Sequence, residues 1–143
     1  MSSRVAVIGA GSWGTALANL LASKGNAVTI WSFEPDVADA INRLHENTKY
    51  MKGVALVPGV RATEQLSEAV IGADVVLNVT PSQHVRRVMQ DAAQHLHEQT
   101  LIVSASKGIE TSTLKTMAEV LEDVLPGTPG AHACFLSGPS FAL

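Results

Sequence analysis

The sequence predicts an α/β fold, a doubly wound and mainly parallel sheet with helices on both faces. Three observations carry that expectation. Short apolar runs recur at 5–8, 27–31, 73–79, 101–104 and 131–136, the first of them led by β-branched residues, and such runs suit strands buried on both faces. Segments with apolar residues at helical spacing alternate with them, which is the pattern of βαβ units joined by right-handed crossovers. The 143 residues are 46% hydrophobic and only 16% charged. That charged share lies below the ordinary value of about 25%, so much of the chain must be interior.

Taken in order, the first strand runs directly into Gly9, Gly11 and Gly14, spaced G-x-G-x-x-G, and a helical pattern opens behind them. Each glycine has its own physical role in such a turn. Gly9 permits the sharp exit from the strand, Gly11 leaves the backbone bare to an approaching pyrophosphate, and Gly14 lets the helix pack closely on the strand. The helix N-terminus adds unpaired N–H groups and a positive dipole end, which attract an anion. Ser12 is a natural N-cap for a helix carrying Ala16, Leu17, Leu20 and Leu21, and Gly25 suits the residue just past its end. The second strand then closes a βαβ unit of about thirty residues, as a dinucleotide-binding (Rossmann-type) unit requires. Ser32, Phe33 and Glu34 follow at its tip. An acid about twenty residues past the glycines usually takes the ribose of NAD. Ser32 holds the tip, Glu34 lies slightly beyond it, and positions 27–42 contain no Arg or Lys for a 2′-phosphate. The residues leave NAD and NADP both open.

A helix is expected over 36–44 through Val37, Ala40, Ile41 and Leu44, and a loop of little regular structure over 46–59. Thr63 is placed to cap a short helix through Leu66, Ala69 and Val70. Asn78 interrupts an apolar strand and must either find partners or sit at the open end of the sheet. Ser82 is read as the cap of a helix with Val85, Val88, Met89, Ala92, Ala93 and Leu96. An amphipathic helix is expected over 113–125, then a break at Pro126-Gly127 before the last strand.

Ligands of open parallel sheets bind beyond the strands' C-terminal ends, which singles out the glycine turn, Ser32-Phe33, Thr80-Pro81-Ser82, Ser106-Lys107-Gly108 and Ser137-Gly138-Pro139-Ser140. Lys107 is the cation in that set, fitted to neutralise a phosphate or polarise a carbonyl during hydride transfer, though most lysines are solvated surface groups. Trp13, at the helix start, is placed to cover a pyrophosphate or simply to pack. The five histidines lack a zinc-binding spacing with a nearby acid and are read as surface residues, and no metal is expected. Cys134 stands alone, excluding an internal disulfide. A net charge of −3 and the lack of a basic run argue against nucleic acid and anionic membrane as partners. No apolar stretch reaches a membrane span and a strand begins almost at once, leaving no room for a signal peptide, so a soluble cytoplasmic protein is the expectation.

Several separated motifs then agree. Gly9-Ala10-Gly11-Ser12-Trp13-Gly14-Thr15-Ala16-Leu17-Ala18, Asn47 with Tyr50, Thr80-Pro81-Ser82, Ser106-Lys107-Gly108-Ile109-Glu110 and Ser137-Gly138-Pro139-Ser140-Phe141-Ala142 occur in order. Together they resemble the N-terminal domain of bacterial NAD(P)-dependent glycerol-3-phosphate dehydrogenases, over essentially the whole chain (1–143). The resemblance implies reduction of dihydroxyacetone phosphate to sn-glycerol 3-phosphate for phospholipid synthesis. It implies cofactor contacts from Ser12, Trp13, Phe33, Tyr50, Lys107 and Ala142, and substrate contacts from Lys107, Gly138 and Ser140. Lys52 stands where the family commonly has proline, and Thr80 where it has valine. The family carries its general acid/base Lys, with a substrate-binding Arg and Asn, in a helical C-terminal domain. The resemblance therefore places the acid/base beyond Leu143, makes the chain a fragment without a complete active site, and leaves room for a homodimer in the parent. A hydroxyacid or ketopantoate-type reductase, or a dinucleotide sensor without chemistry, are the competing readings.

Overall fold

The computed structural model describes residues 1–125, 127 and 133–138. Six parallel strands make one sheet: β1 (Arg4–Ile8), β2 (Ala27–Trp31), β3 (Val60–Thr63), β4 (Val75–Asn78), β5 (Leu101–Ser104) and, last in the chain, β8 (Ala133–Phe135). Their order is β3-β2-β1-β4-β5-β8. The chain winds outward from β1 in one direction, returns, and winds outward in the other, so the switch point lies between β1 and β4. Register is direct, with Ile8 opposite Trp31 on one side and Asn78 on the other. Strand tips from three βαβ crossovers therefore end level.

Alternate residues of β1 feed two cores, one on each face of the sheet. Val5 and Val7 join Val28, Ile30, Val60 and Leu77 beneath α1 (Ser12–Ser23) and α2 (Pro35–Leu44). Ala6 and Ile8 join Val76, Ile102, Met89 and Leu121 beneath α3 (Leu66–Val70), α4 (Val85–Ala93) and α5 (Met117–Val124). Burying each such Ile, Val or Leu stabilises the fold by about 1.5–3 kcal/mol. The expected double cover of the sheet is what the structure shows.

Four local expectations are corrected. Gly11, not Ser12, occupies the N-cap of α1, and no side chain caps it, because the turn brings bare backbone to that point. Residues 60–63 form β3, just past the 46–59 loop and at a place where no strand is expected from the sequence. Thr63 thus ends a strand, and its hydroxyl accepts the Gln65 amide just ahead of α3. Ser82 opens a 3-10 turn (Ser82–His84) without a side-chain cap, and α4 begins only at Val85 and ends at Ala93. Finally, the helix expected from 113 begins at Met117, after a small antiparallel hairpin of β6 (Ile109–Glu110) and β7 (Lys115–Thr116). Thr116 caps α5 in a reciprocal box with Glu119, which fixes the start. Leu114, which fits the helical stripe, instead sits exposed at φ 60° in the hairpin. Gly25 takes the expected place past α1 at φ 89°. No helix among the described residues is long and apolar enough to cross a membrane.

Candidate dinucleotide cleft

The tips of β1, β2 and β4 surround an open cleft of about 540 Å³, lined by Gly9, Gly11, Ser32, Phe33, Glu34, Tyr50, Thr80, Pro81, His84 and Arg87 among others. A hollow of about 450 Å³ lies at the opposite edge, beside Arg4, Gly25 and Arg61. That hollow meets the C-terminal end of α1, where the helix dipole disfavours an anion. The cleft over the switch point has the positive end.

The glycine turn is built by three different constraints. Gly9 sits at φ 122°, and a Cβ there would come within 3.0 Å of the Val79 carbonyl group. Gly14 is more crowded still, since its Cβ would lie 2.1 Å from the Gly9 oxygen. Gly11 is the reverse case, with extended backbone (φ −72°, ψ −175°) and nothing within 4 Å of an added Cβ. Two glycines bring helix and strand together, and the third leaves the space above the turn open. Such a bare cradle at the start of α1 fits a pyrophosphate.

Asn47 locks this turn from a distance. It is fully buried, and its amide donates to the Ala10 carbonyl and to Thr15 Oγ1, each at 2.8 Å, while its oxygen accepts the Tyr50 amide at 3.0 Å. One side chain thereby joins the glycine turn, α1 and the loop after α2. Asn47→Ala would strand two buried acceptors, so a loss of about 1–3 kcal/mol is expected in urea unfolding.

Three aromatic side chains at or beside the cleft are exposed: Phe33 is 75% exposed, Trp13 47% and Tyr50 43%, and the Lys49 ammonium lies over the Tyr50 ring at 5.4 Å. Phe33 and Trp31 form a T-shaped pair with ring centroids 6.5 Å apart. Exposed aromatic rings beside an anion cradle suit a planar base. At the same corner Glu34 accepts hydrogen bonds from Lys49 Nζ and Tyr50 Oη. Lys49 first and Tyr50 second hold its carboxyl below the usual range, and Glu34 in turn raises both partners.

Beyond the cleft, β4 and β5 are tied at their tips. Asn78 donates to Ser106 Oγ, its oxygen accepts from the Thr80 hydroxyl and amide, and Ser106 donates to the Thr80 carbonyl. Asn78 therefore has the partners its burial demands, and the threonine at 80 makes a bond that valine could not. Lys107 Nζ donates to the Gly138 carbonyl at 2.8 Å, bringing the ends of β5 and β8 together. The turn bearing Lys107 is clamped from behind. Gln83 donates to the Ile109 carbonyl and accepts from Thr111, and Arg86 forms a two-pronged pair with the buried Glu110. Arg86 also reaches Asp123, which pairs with Lys115.

Arg86, and then Thr113, hold the Glu110 carboxyl below its ordinary value of 4.5. Its folded state therefore binds fewer protons than the unfolded chain on the acid side. The stability it contributes is complete above about pH 4.5 and is lost as pH falls through the depressed folded value. The urea midpoint of the chain is expected to fall across that window. Glu110→Gln should lie below the unchanged chain at pH 7 and converge with it as pH falls.

Of the residues singled out from sequence, the structure gathers Gly9, Gly11, Phe33 and Tyr50 at the cleft and pairs Lys107 with Gly138. Ser12, Trp13 and Gly14 form the first turn of α1 beside it. Ser140 and Ala142 lie outside the described residues. Three cleft-corner residues were not singled out: His84 and Arg87, one turn apart at the start of α4, and Lys49. The i, i+3 spacing of His84 and Arg87 behind a strand tip was the available signal. Lys49 had none, since its partner Glu34 lies fifteen residues away.

A family model described as the N-terminus of NAD-dependent glycerol-3-phosphate dehydrogenase matches residues 4–143. A glycerol-3-phosphate dehydrogenase using NAD(P) from a Geobacter species is 46% identical over 142 residues, covering 99% of this chain and 42% of the relative. One from Anaeromyxobacter is 49% identical over 139 residues, covering 97% and 42%. Among solved structures, the glycerol-3-phosphate dehydrogenase of Coxiella burnetii superposes with a TM-score of 0.82 at 30% identity, over 88% of this chain and 38% of that one. The yeast enzyme superposes with a TM-score of 0.84 at 26% identity, over 99% and 43%. The chain spans less than half the length of the relatives it matches. With its strand order and glycine turn, it belongs to the family of NAD-dependent glycerol-3-phosphate dehydrogenase N-terminal domains.

Proposed function

We propose that this chain is the dinucleotide-binding part of an enzyme that interconverts dihydroxyacetone phosphate and sn-glycerol 3-phosphate with NAD(P)H. The observation that carries the reading is the glycine turn, which has no room for a side chain at Gly9 and Gly14 and open space at Gly11. The activity of the similar enzymes supplies the substrate class.

On this reading the amides around Gly11 and Ser12 take the pyrophosphate, with Gly9 and Gly14 shaping the turn and Trp13 flanking it. Phe33 and Tyr50 hold the adenosine end, and Ala142 is a further cofactor contact by the family resemblance. The bound dinucleotide supplies a hydride for the carbonyl carbon. Lys107 presents a positive charge at the β5 tip, steadied by Gly138 and by the clamp behind it, to draw the substrate's oxygen or phosphate. Gly138 and Ser140 are the further substrate contacts by the family resemblance. The proton for the reduced oxygen must come from a donor within hydrogen-bond reach, and we assign it to the part of the relatives that this chain does not span. On this reading the product feeds glycerophospholipid synthesis in the cytoplasm.

The test pairs two measurements on the chain. Titration with NADH or NADPH should show saturable binding, whereas dihydroxyacetone phosphate should cause no loss of absorbance at the reduced-nicotinamide band. Absence of binding would overturn the reading of the turn. Turnover by the chain alone would overturn the assignment of the proton donor.

A further inference from the structure

Resting on the reading of Lys107 above, we propose that Glu110, gripped by Arg86, and Gln83 are positioning residues that aim Lys107 at the substrate. The three residues between Ser106 and Glu110 are all exposed, so apolar packing does not set the path of the turn that carries the ammonium. Polar anchors at its two ends must do so. On the near side Ser106 Oγ donates to the Thr80 carbonyl at 2.6 Å and accepts from Asn78 at 3.1 Å. On the far side the first buried residue is Glu110, only 4% exposed. Between them Gly108 takes φ 114°, where a Cβ would come within 3.1 Å of Ser82 Oγ.

A buried carboxylate is a costly anchor. A buried ion pair contributes little net stability, and well-packed apolar side chains often do as well or better. What the pair supplies is direction. Two guanidinium nitrogens of Arg86 reach both oxygens of Glu110 at 2.9 to 3.1 Å, and the Thr113 hydroxyl donates to one of those oxygens at 2.5 Å. A planar fork on a carboxylate fixes orientation as well as distance. The guanidinium is itself held, since it also donates to Asp123 at 2.9 Å and Asp123 pairs with Lys115. Gln83 adds a second grip, donating to the Ile109 carbonyl at 2.9 Å and accepting the Thr111 amide at 3.0 Å.

Both grips come from a segment with a second duty. Gln83 and Arg86 belong to the 3-10 turn and the first turn of α4, while their neighbours His84, Arg87 and Val88 line the dinucleotide cleft. One short segment thus touches the cleft and the Lys107 turn alike, which sets the distance of the ammonium from a bound dinucleotide. A lysine stem is flexible, so its aim depends on the backbone it springs from and on the Gly138 carbonyl it reaches. A misplacement of roughly 1 Å can cost about a hundredfold in rate.

Kinetics in a polypeptide that joins this chain to the remaining part of such an enzyme test the proposal. Gln83→Ala and Glu110→Gln should each lower kcat/KM for dihydroxyacetone phosphate by about tenfold or more, within the scale of such a misplacement. NADH affinity, read by fluorescence titration, should stay unchanged. The decisive measurement repeats both substitutions in Lys107→Ala. Residues that act through Lys107 lose their effect once it is gone, so the double variants should match Lys107→Ala alone. The same fold-loss recurring in that background would show a structural role and overturn the proposal. So would an equal loss of NADH affinity, or unchanged kinetics in both single variants. Gln83 is exposed, so its variant carries the test if Glu110→Gln does not fold. Unchanged kinetics in Lys107→Ala alone would instead sink the reading of Lys107, and the proposal with it.

Discussion

Gly14→Ala is expected to disrupt the first turn of α1, while Gly11→Val leaves the fold intact, and both abolish dinucleotide binding. The reasons are opposite. A Cβ at Gly14 would stand 2.1 Å from the Gly9 oxygen, a backbone atom that no rotamer change can move. Helix and strand must part, at a cost of about 1–3 kcal/mol or more, and the loss should appear as a lower urea midpoint. At Gly11 an added Cβ meets nothing within 4 Å, and the backbone is one that any residue adopts. Valine there therefore costs the fold little, yet fills the space above the turn. Calorimetric titration with NADH, beside urea unfolding of both variants, separates the two effects. Undiminished affinity in folded Gly11→Val would show that the pyrophosphate does not lie over this turn.

Lys107→Ala is expected to lower kcat/KM for dihydroxyacetone phosphate by at least about two orders of magnitude, the scale of removing one aimed charge-stabilising group. The measurement requires a polypeptide that joins this chain to the remaining part of such an enzyme. Lys107 sits on a turn held by Gln83 and by the Arg86–Glu110 pair, and its ammonium reaches the Gly138 carbonyl at 2.8 Å. A residue positioned by so many fixed partners loses little on binding and keeps its charge aimed. Dinucleotide affinity should change much less than turnover. Wild-type kinetics in the variant would return Lys107 to the status of an ordinary surface lysine.

The parts legible in the sequence were those where neighbours in the chain decide the outcome. The β1 run, the glycine spacing and the helix behind it constrain one another within twenty residues, so the turn and its anion-binding end could be read directly. Alternation of buried strands with amphipathic helices gave the doubly covered sheet. The start of α5 was also written locally, in Thr116-Met117-Ala118-Glu119, but Thr113 and Leu114 continue the same stripe and hide it. Only the pairing of Ile109–Glu110 with Lys115–Thr116 rules out the longer helix.

The remaining features depend on residues far apart in sequence. β3 is four residues long and contains Arg61. It becomes a strand because β2 offers it a parallel ladder, and no property of 60–63 taken alone requires that. The hook of Asn47 on Ala10 and Thr15, the union of Glu34 with Lys49 and Tyr50, and the meeting of Lys107 with Gly138 span 15 to 37 residues. Residue types suggest what such groups can do, but not which of them meet. The sequence by itself determined the sheet, its cover and the anion cradle, because local propensity and apolar periodicity act over a few residues. Tertiary structure alone decided the edge strand, the polar supports of the cradle and the pairing of Glu34 with Lys49 and Tyr50. Each of those requires a buried or shared polar group to find a partner, and a partner exists only once the crossovers have set the strand tips side by side.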